Sequence, residues 1–182
     1  MQAAHSHREI IAFWQEAGPK RWFEPDAELD AQIRKRFFAA YEAAAAGELA
    51  GWKQSPEGAL ALLLLLDQFP RNMFRSTPRA FATDASARQI ARAAIEDGFD
   101  RKVDTALRTF FYLPFMHSEN LADQEYCLAL YRALGNEEGL NYAEIHLDAI
   151  RRFGRFPHRN AILGRASTAE EIAYLESGGF QG

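Results

Sequence analysis

Cysteine is nearly missing from this chain of 182 residues, which holds only Cys127. One thiol excludes an intrachain disulfide framework and a thiolate metal site, and a reducing, cytoplasmic compartment is its natural setting. Lysine is scarce as well, found only at positions 20, 35, 53 and 102, so arginine carries most of the positive charge. Nor is there a basic excess: the formal net charge is -4 at pH 7, which argues against a nucleic-acid partner. No apolar run is long enough to cross a bilayer, which takes about 20 residues; the densest, 59–66, reads as a buried helix, so no membrane partner is expected. The opening MQAAHSHREI has no basic stretch followed by an apolar one, so no secretory signal is expected. Glycine-rich phosphate loops, a Gly-x-Ser-x-Gly elbow and a His-x-x-x-His or His-Glu-x-x-His pair are all missing. No cofactor and no metal site is expected.

What remains is helical punctuation. Ser6 and Glu9 form a capping box that opens a helix over about 7–17, stopped by Gly18-Pro19. Pro25-Asp26 opens a second, in which Ile33, Phe37, Tyr41 and Ala44 recur at helical spacing. Ser55, Pro56 and Glu57 supply a cap, a first-position proline and an acid at the positive end of the helix dipole. The helix that follows is apolar all round, which only an element with neighbours on several sides tolerates, and Pro70 is expected to end it. A connector with a short helical turn runs to Thr83, followed by a helix over 84–97 closed by Gly98. Asp100 is expected to cap a helix burying Val103, Leu107, Phe110 and Phe111 until Pro114, and Ser118 to cap the next, which ends at Gly135. Asn136 opens a helix through Phe153, closed by Gly154. Ser167 and Glu170 read as a second capping box, and Gly178-Gly179 as the final stop. Nothing alternates with the period of a strand. The expectation is an all-α single domain over 1–182, built of stacked antiparallel helix pairs around a buried central apolar helix.

Two connectors echo each other. Phe69-Pro70-Arg71-Asn72 and Phe156-Pro157-His158-Arg159-Asn160 repeat Phe, Pro, Arg and Asn in the same order. Each lies in acid-free sequence: Arg71, Arg75 and Arg79 fall between Asp67 and Asp84, while Arg151, Arg152, Arg155, Arg159 and Arg165 fall between Asp148 and Glu170. In an acidic chain this reads as a local positive field. Converging guanidinium forks suit carboxylate or phosphate. The same arginines equally suit carbonyls at helix ends and acids such as Asp67, Glu119 and Glu144.

Among the histidines, His117 precedes a helix start, His146 flanks an apolar stripe and His158 lies in the second connector. With Glu119, Glu144 or Asp148 they would be the raw material of a metal-dependent hydrolase, the least favoured reading because helical metal-ligand spacing is missing. His5 and His7 read as frayed terminus. Cys127 reads as inert packing, and Phe13-Trp14, Trp22-Phe23, Phe37-Phe38 and Trp52 as core.

The segments "FW" and "WF", then "LLLLLDQFPRNMFR", "LPFMHSE" and "RRFGRFPHRNAILGRASTAEE", taken in that order, resemble the bacterial family known as domain of unknown function 924. The resemblance runs from about Phe13 to the last helix and implies an α-helical fold similar to the tetratricopeptide superfamily. It implies no activity.

Two readings follow. In the first, a polar pocket binds a small anion: Arg71, Arg155 and Arg159 grip it, Asn72 and Asn160 orient the loops, His117, His146 and Glu119 are available for proton transfer, and Arg75, His158 and Arg165 complete the lining. In the second, the protein is a tetratricopeptide-like scaffold for a protein or peptide, and the same motifs lock helices together.

Overall fold

A computed structural model describes residues 6–182. Its regular structure is all helical, with no strand among the described residues. The chain forms two compact units, one running to Phe111 and the other Tyr112–Gly182.

The first unit opens with α1 (His7–Ala17), capped by the Ser6 hydroxyl, which accepts from the Glu9 N–H. His7 belongs to this helix, and its ring meets Trp52 edge-on at 5.6 Å, so it is not frayed; His5 lies outside the described residues. Gly18, at φ 77, turns the chain, and Pro19 starts a further helix, α2 (Pro19–Trp22), where only a stop was expected. Proline suits that first position because its missing N–H would have had no partner there. The Trp22 ring stacks on Trp14 at 5.9 Å, and its Nε1–H donates to the Trp14 carbonyl at 2.7 Å. α3 (Ala27–Ala45) is capped by Asp26, as its letters predict.

The apolar helix α4 (Pro56–Leu63) is buried on every side and packs on α1. Pro70 does not end it. The chain passes through one wide π-type turn (Leu64–Gln68) and continues as α5 (Phe69–Met73). A proline inside a helix strands carbonyls one turn back, and here both are met from elsewhere. The Thr83 hydroxyl donates to the Leu66 carbonyl at 2.6 Å, and Arg71 Nη1 donates to the Asp67 carbonyl at 2.7 Å. After a short 3-10 turn at Pro78–Phe81 comes α6 (Asp84–Glu96).

The helix expected from Asp100 is broken into two 3-10 turns, Phe99–Lys102 and Thr105–Leu107. The Asp104 carboxylate takes the Ala106 N–H at 2.8 Å, a local bond that competes with helix continuation. Leu107, Phe110 and Phe111 are buried as expected, whereas Val103 is only half-buried. α7 (Thr109–Met116) carries Pro114 inside it rather than stopping there.

In the second unit, α8 (Leu121–Leu134) and α9 (Glu137–Phe153) form an antiparallel hairpin. Arg132 late in α8 reaches Glu144 at 3.8 Å, while Glu125 early in α8 meets Arg151 late in α9 at 3.4 Å. Gly135, at φ 70, closes α8 in the left-handed conformation, and Asn136 caps α9. Two expected caps move. Asn120, not Ser118, caps α8, because the Ser118 hydroxyl is committed to Asp123 at 2.8 Å. The last helix, α10 (Ala169–Glu176), is opened by Thr168 and Glu171 rather than Ser167 and Glu170, the Ser167 hydroxyl being engaged by Asn160 at 3.1 Å. Among the described residues, no helix is long and apolar enough to cross a membrane.

Candidate functional site

The arginines of the first connector pair with carboxylates of their own unit. Arg71 grips both oxygens of Asp84, at 2.9 and 3.0 Å, and has the buried Asp67 carboxylate at 3.4 Å. Asn72 Nδ2 donates to Asp30 at 2.8 Å, and Arg75 holds the two oxygens of the same carboxylate at 2.5 and 3.0 Å. Arg79 pairs with Glu42. The positive field read from the acid-free stretch is therefore cancelled in space, by carboxylates brought in from α3 and α6.

The second connector follows the same rule. It leaves α9 through Gly154, at φ 68, and makes a 3-10 turn at Pro157–Arg159. Arg155 holds both oxygens of Glu171, at 2.6 and 2.8 Å. Arg165 holds both oxygens of Glu119, at 2.7 and 2.9 Å, and its Nε–H reaches Asn160 Oδ1 at 2.9 Å. Asn160 is the junction, since its Nδ2 also donates to Glu171 at 3.2 Å. Glu119 accepts the Phe156 backbone N–H at 2.8 Å as well. Arg151 and Arg152 face Glu125 and Asp148. This field, too, is largely neutralised.

These bonds shift the carboxyls. Hydrogen bonds from Arg155 hold Glu171 down at about 2, against burial and with help from Thr168 and Asn160. Burial pulls Glu119 upward, yet the bonds from Arg165 and the Phe156 N–H outweigh it and leave its carboxyl below the ordinary range. Both carboxylates stay charged at neutral pH.

A second layer is made of rings. Phe156 is fully buried and stands at its centre, with His146 and His158 each 5.6 Å away and the Arg159 guanidinium carbon 4.6 Å over its face. Arg159 is 6% exposed and His146 7%. His146 Nδ1 lies 2.7 Å from the Tyr142 carbonyl. A carbonyl only accepts, so Nδ1 carries the proton and Nε2 keeps its lone pair. Burial, reinforced by the charges of His117 and Arg159, pushes His146 down to about 3. Burial and Arg159 push His158 down to about 4. Both imidazoles are neutral at physiological pH. His158 Nδ1 is buried with no hydrogen-bond partner among the described residues.

Of the residues singled out by sequence, Arg71, Asn72 and Arg75 gather around Asp30, Asp67 and Asp84. Glu119, Arg155, Asn160 and Arg165 form one network, and His146, His158 and Arg159 surround Phe156. His117 interacts electrostatically with both other histidines. Sequence reasoning missed Glu171, hidden by the one-position slip in the capping box. It also missed Phe180, an aromatic set just past two glycines. Phe180 packs on His146 with ring centroids 4.1 Å apart. Among the described residues, no group of three or more His, Cys, Asp or Glu is arranged to hold a metal ion.

Comparison with known proteins bears on this arrangement. The profile of a family described as bacterial protein of unknown function (DUF924) matches residues 10–179. The solved structure of a protein of unknown function from Agrobacterium tumefaciens is similar at 50% sequence identity, covering 94% of this chain and 97% of that one, with a TM-score of 0.92. No curated protein matches the chain.

Proposed function

We propose that the chain, which belongs to the DUF924 family of bacterial proteins, binds a small anion in its second unit at the cluster of His146, Phe156, His158 and Arg159. The observation that carries this reading is the buried Nδ1 of His158, which has no partner among the described residues. Such an atom costs about 1–3 kcal/mol unless something bonds it, and natural cores leave few of them. Arg159 belongs to the ring layer, while Arg155 and Arg165 are committed to carboxylates by two N–H bonds each. In this reading Arg71, Arg75, Arg155 and Arg165 hold the loops, with Asn72 and Asn160, and Arg159 meets the ligand. His146 Nε2, which keeps its lone pair, can accept only from a ligand oxygen that carries a proton, as in hydrogen phosphate.

Thermal unfolding in phosphate, acetate and citrate tests the reading. At a hundredfold excess over Kd, binding to the native state contributes about 2.7 kcal/mol, and each kcal/mol raises Tm by about 2–4 °C in a chain of this size. Arg159→Gln is expected to abolish the rise, whereas Arg152→Gln on the surface retains it. No rise with any of the three anions would sink the proposal.

A second reading, a tetratricopeptide-like scaffold for a protein or peptide, is supported by two observations. The four fork-to-fork arginine pairs leave the connectors a purely structural role, and Tyr142 and Ile145 stand exposed three positions apart on α9. It predicts that Arg71→Gln and Arg165→Gln lower stability while no anion binds.

A further inference from the structure

His146 and His158 bring two neutral imidazoles to one phenyl ring, each 5.6 Å from Phe156. Their spare nitrogens are not alike. The Tyr142 carbonyl, 2.7 Å from His146 Nδ1, fixes the proton there, so His146 Nε2 can only accept. His158 Nδ1 is buried with no partner among the described residues, and a neutral imidazole can present either a proton or a lone pair at that atom.

The chain's own C-terminal segment is fastened beside them. The N–H groups of Gly178 and Gly179 donate to the Leu175 and Tyr174 carbonyls at 3.3 and 2.9 Å, and the Phe180 N–H donates to the Tyr174 hydroxyl at 2.9 Å. The Phe180 ring packs on Ala149, Ile150 and Phe156, and lies 4.1 Å from His146. With this segment in place His146 is 7% exposed and His158 half-buried. That suits a ligand of few atoms rather than a ring or a long chain.

We propose that His146 selects among small anions by their protons: the site takes inorganic phosphate, which keeps an O–H at neutral pH, and refuses sulfate, which keeps none. This rests on the anion-binding reading above and names its ligand. The hydroxyl of hydrogen phosphate donates to His146 Nε2, and a bare oxygen accepts from His158 Nδ1 when that nitrogen carries the proton. Sulfate has no proton to give, so it sets an oxygen lone pair against the Nε2 lone pair and leaves that acceptor unmet. Phosphate and sulfate are tetrahedral ions of nearly equal size, so shape does not separate them.

Calorimetric titration with phosphate and with sulfate at neutral pH and equal ionic strength, on the wild type and on His146→Gln, tests the assignment. An unmet buried acceptor weakens binding by about tenfold or more, so sulfate is expected to bind the wild type at least about tenfold more weakly than phosphate. Glutamine can turn either an N–H or its carbonyl oxygen to the ligand, so in His146→Gln the two affinities are expected to converge. If sulfate binds the wild type as tightly as phosphate, or if His146→Gln keeps the preference, the selecting role of His146 is overturned and the anion site stands. If neither ion binds the wild type, the anion site fails and this inference with it. Should His146→Gln not fold, nitrogen-15 NMR of the wild type decides. Phosphate must move the His146 Nε2 resonance toward that of a hydrogen-bonded nitrogen while sulfate leaves it in place, and a resonance unmoved by phosphate overturns the proposal.

Discussion

His146 shows how one backbone atom sets the chemistry of a side chain. Because the Tyr142 carbonyl at 2.7 Å accepts a proton bond and cannot donate one, the imidazole keeps its proton on Nδ1. Nitrogen-15 NMR is expected to show a neutral Nδ1–H tautomer still present at pH 5, since burial holds the group down to about 3. A protonated ring at that pH would contradict the buried placement. Cys127 is the plainer case. It lies fully buried in α8 with its thiol 3.7 Å from the Tyr112 carbonyl, and burial pushes its pKa well above the ordinary thiol value. The thiolate is the reactive form. Ellman's reagent is therefore expected to leave the native protein unlabelled and to react fully once it is unfolded.

Among the helices, the informative element is the one that continues where its sequence says stop. Proline costs a helix its hydrogen bond and a steric clash, together about 3 kcal/mol, so an end at Pro70 was the reasonable expectation. The wide turn at Leu64–Gln68 absorbs the clash, and Thr83 and Arg71 satisfy the two stranded carbonyls. Thr83→Val is expected to destabilise the protein by about 1–3 kcal/mol, the cost of an unmet buried acceptor. In a Pro70→Ala background the penalty should shrink, because alanine restores an N–H able to reach the Leu66 carbonyl. A double-mutant cycle by chemical denaturation reads this directly, and strict additivity would show that the two groups do not share that carbonyl. Gly154 gives a second, purely backbone prediction. It sits at φ 68 with nothing within 4 Å of where a Cβ would go, so Gly154→Ala is expected to cost about 1 kcal/mol through its left-handed backbone alone.

For the protein as a whole, pH should act in two stages. Unfolded, His146 and His158 take a proton near 6.5; folded, they resist it down to about 3 and about 4. The unfolded chain thus holds more protons as pH falls below about 6.5, and stability declines from there. The carboxyls act lower. Glu171 and Asp26 are held at about 2 from ordinary values of 4.5 and 3.8, chiefly by hydrogen bonds from Arg155 and Arg21. Their contribution is complete above those ordinary values and is lost as pH falls toward about 2. Denaturation midpoints measured across pH should be level above neutrality and then fall in two steps. His146→Leu is expected to shrink the upper step, leaving the share of His158, and Glu171→Gln to shrink the lower, leaving that of Asp26. An upper step removed by Glu171→Gln would contradict this assignment.

Most helix limits were legible in the letters alone, because a cap is a bargain among residues three or four apart. Ser6, Asp26, Ser55 and Asn136 act as caps where their spacing predicts, and the apolar run 59–66 is buried as its uniformity requires. The expected caps at Ser118 and Ser167 were lost to nearby side chains, Asp123 five positions on and Asn160 seven positions back, which engage the two hydroxyls instead. The partners of the arginines were not legible at all. Arg165 finds Glu119 across 46 positions and Arg155 finds Glu171 across 16. A stretch empty of acids in one dimension is therefore well supplied with them in three. Phe180 likewise reads as a trailing residue until the glycine turn lays it on His146. Local hydrogen bonding and burial are written along the chain; charge pairing and ring packing depend on which distant segments meet, and folding alone settles that.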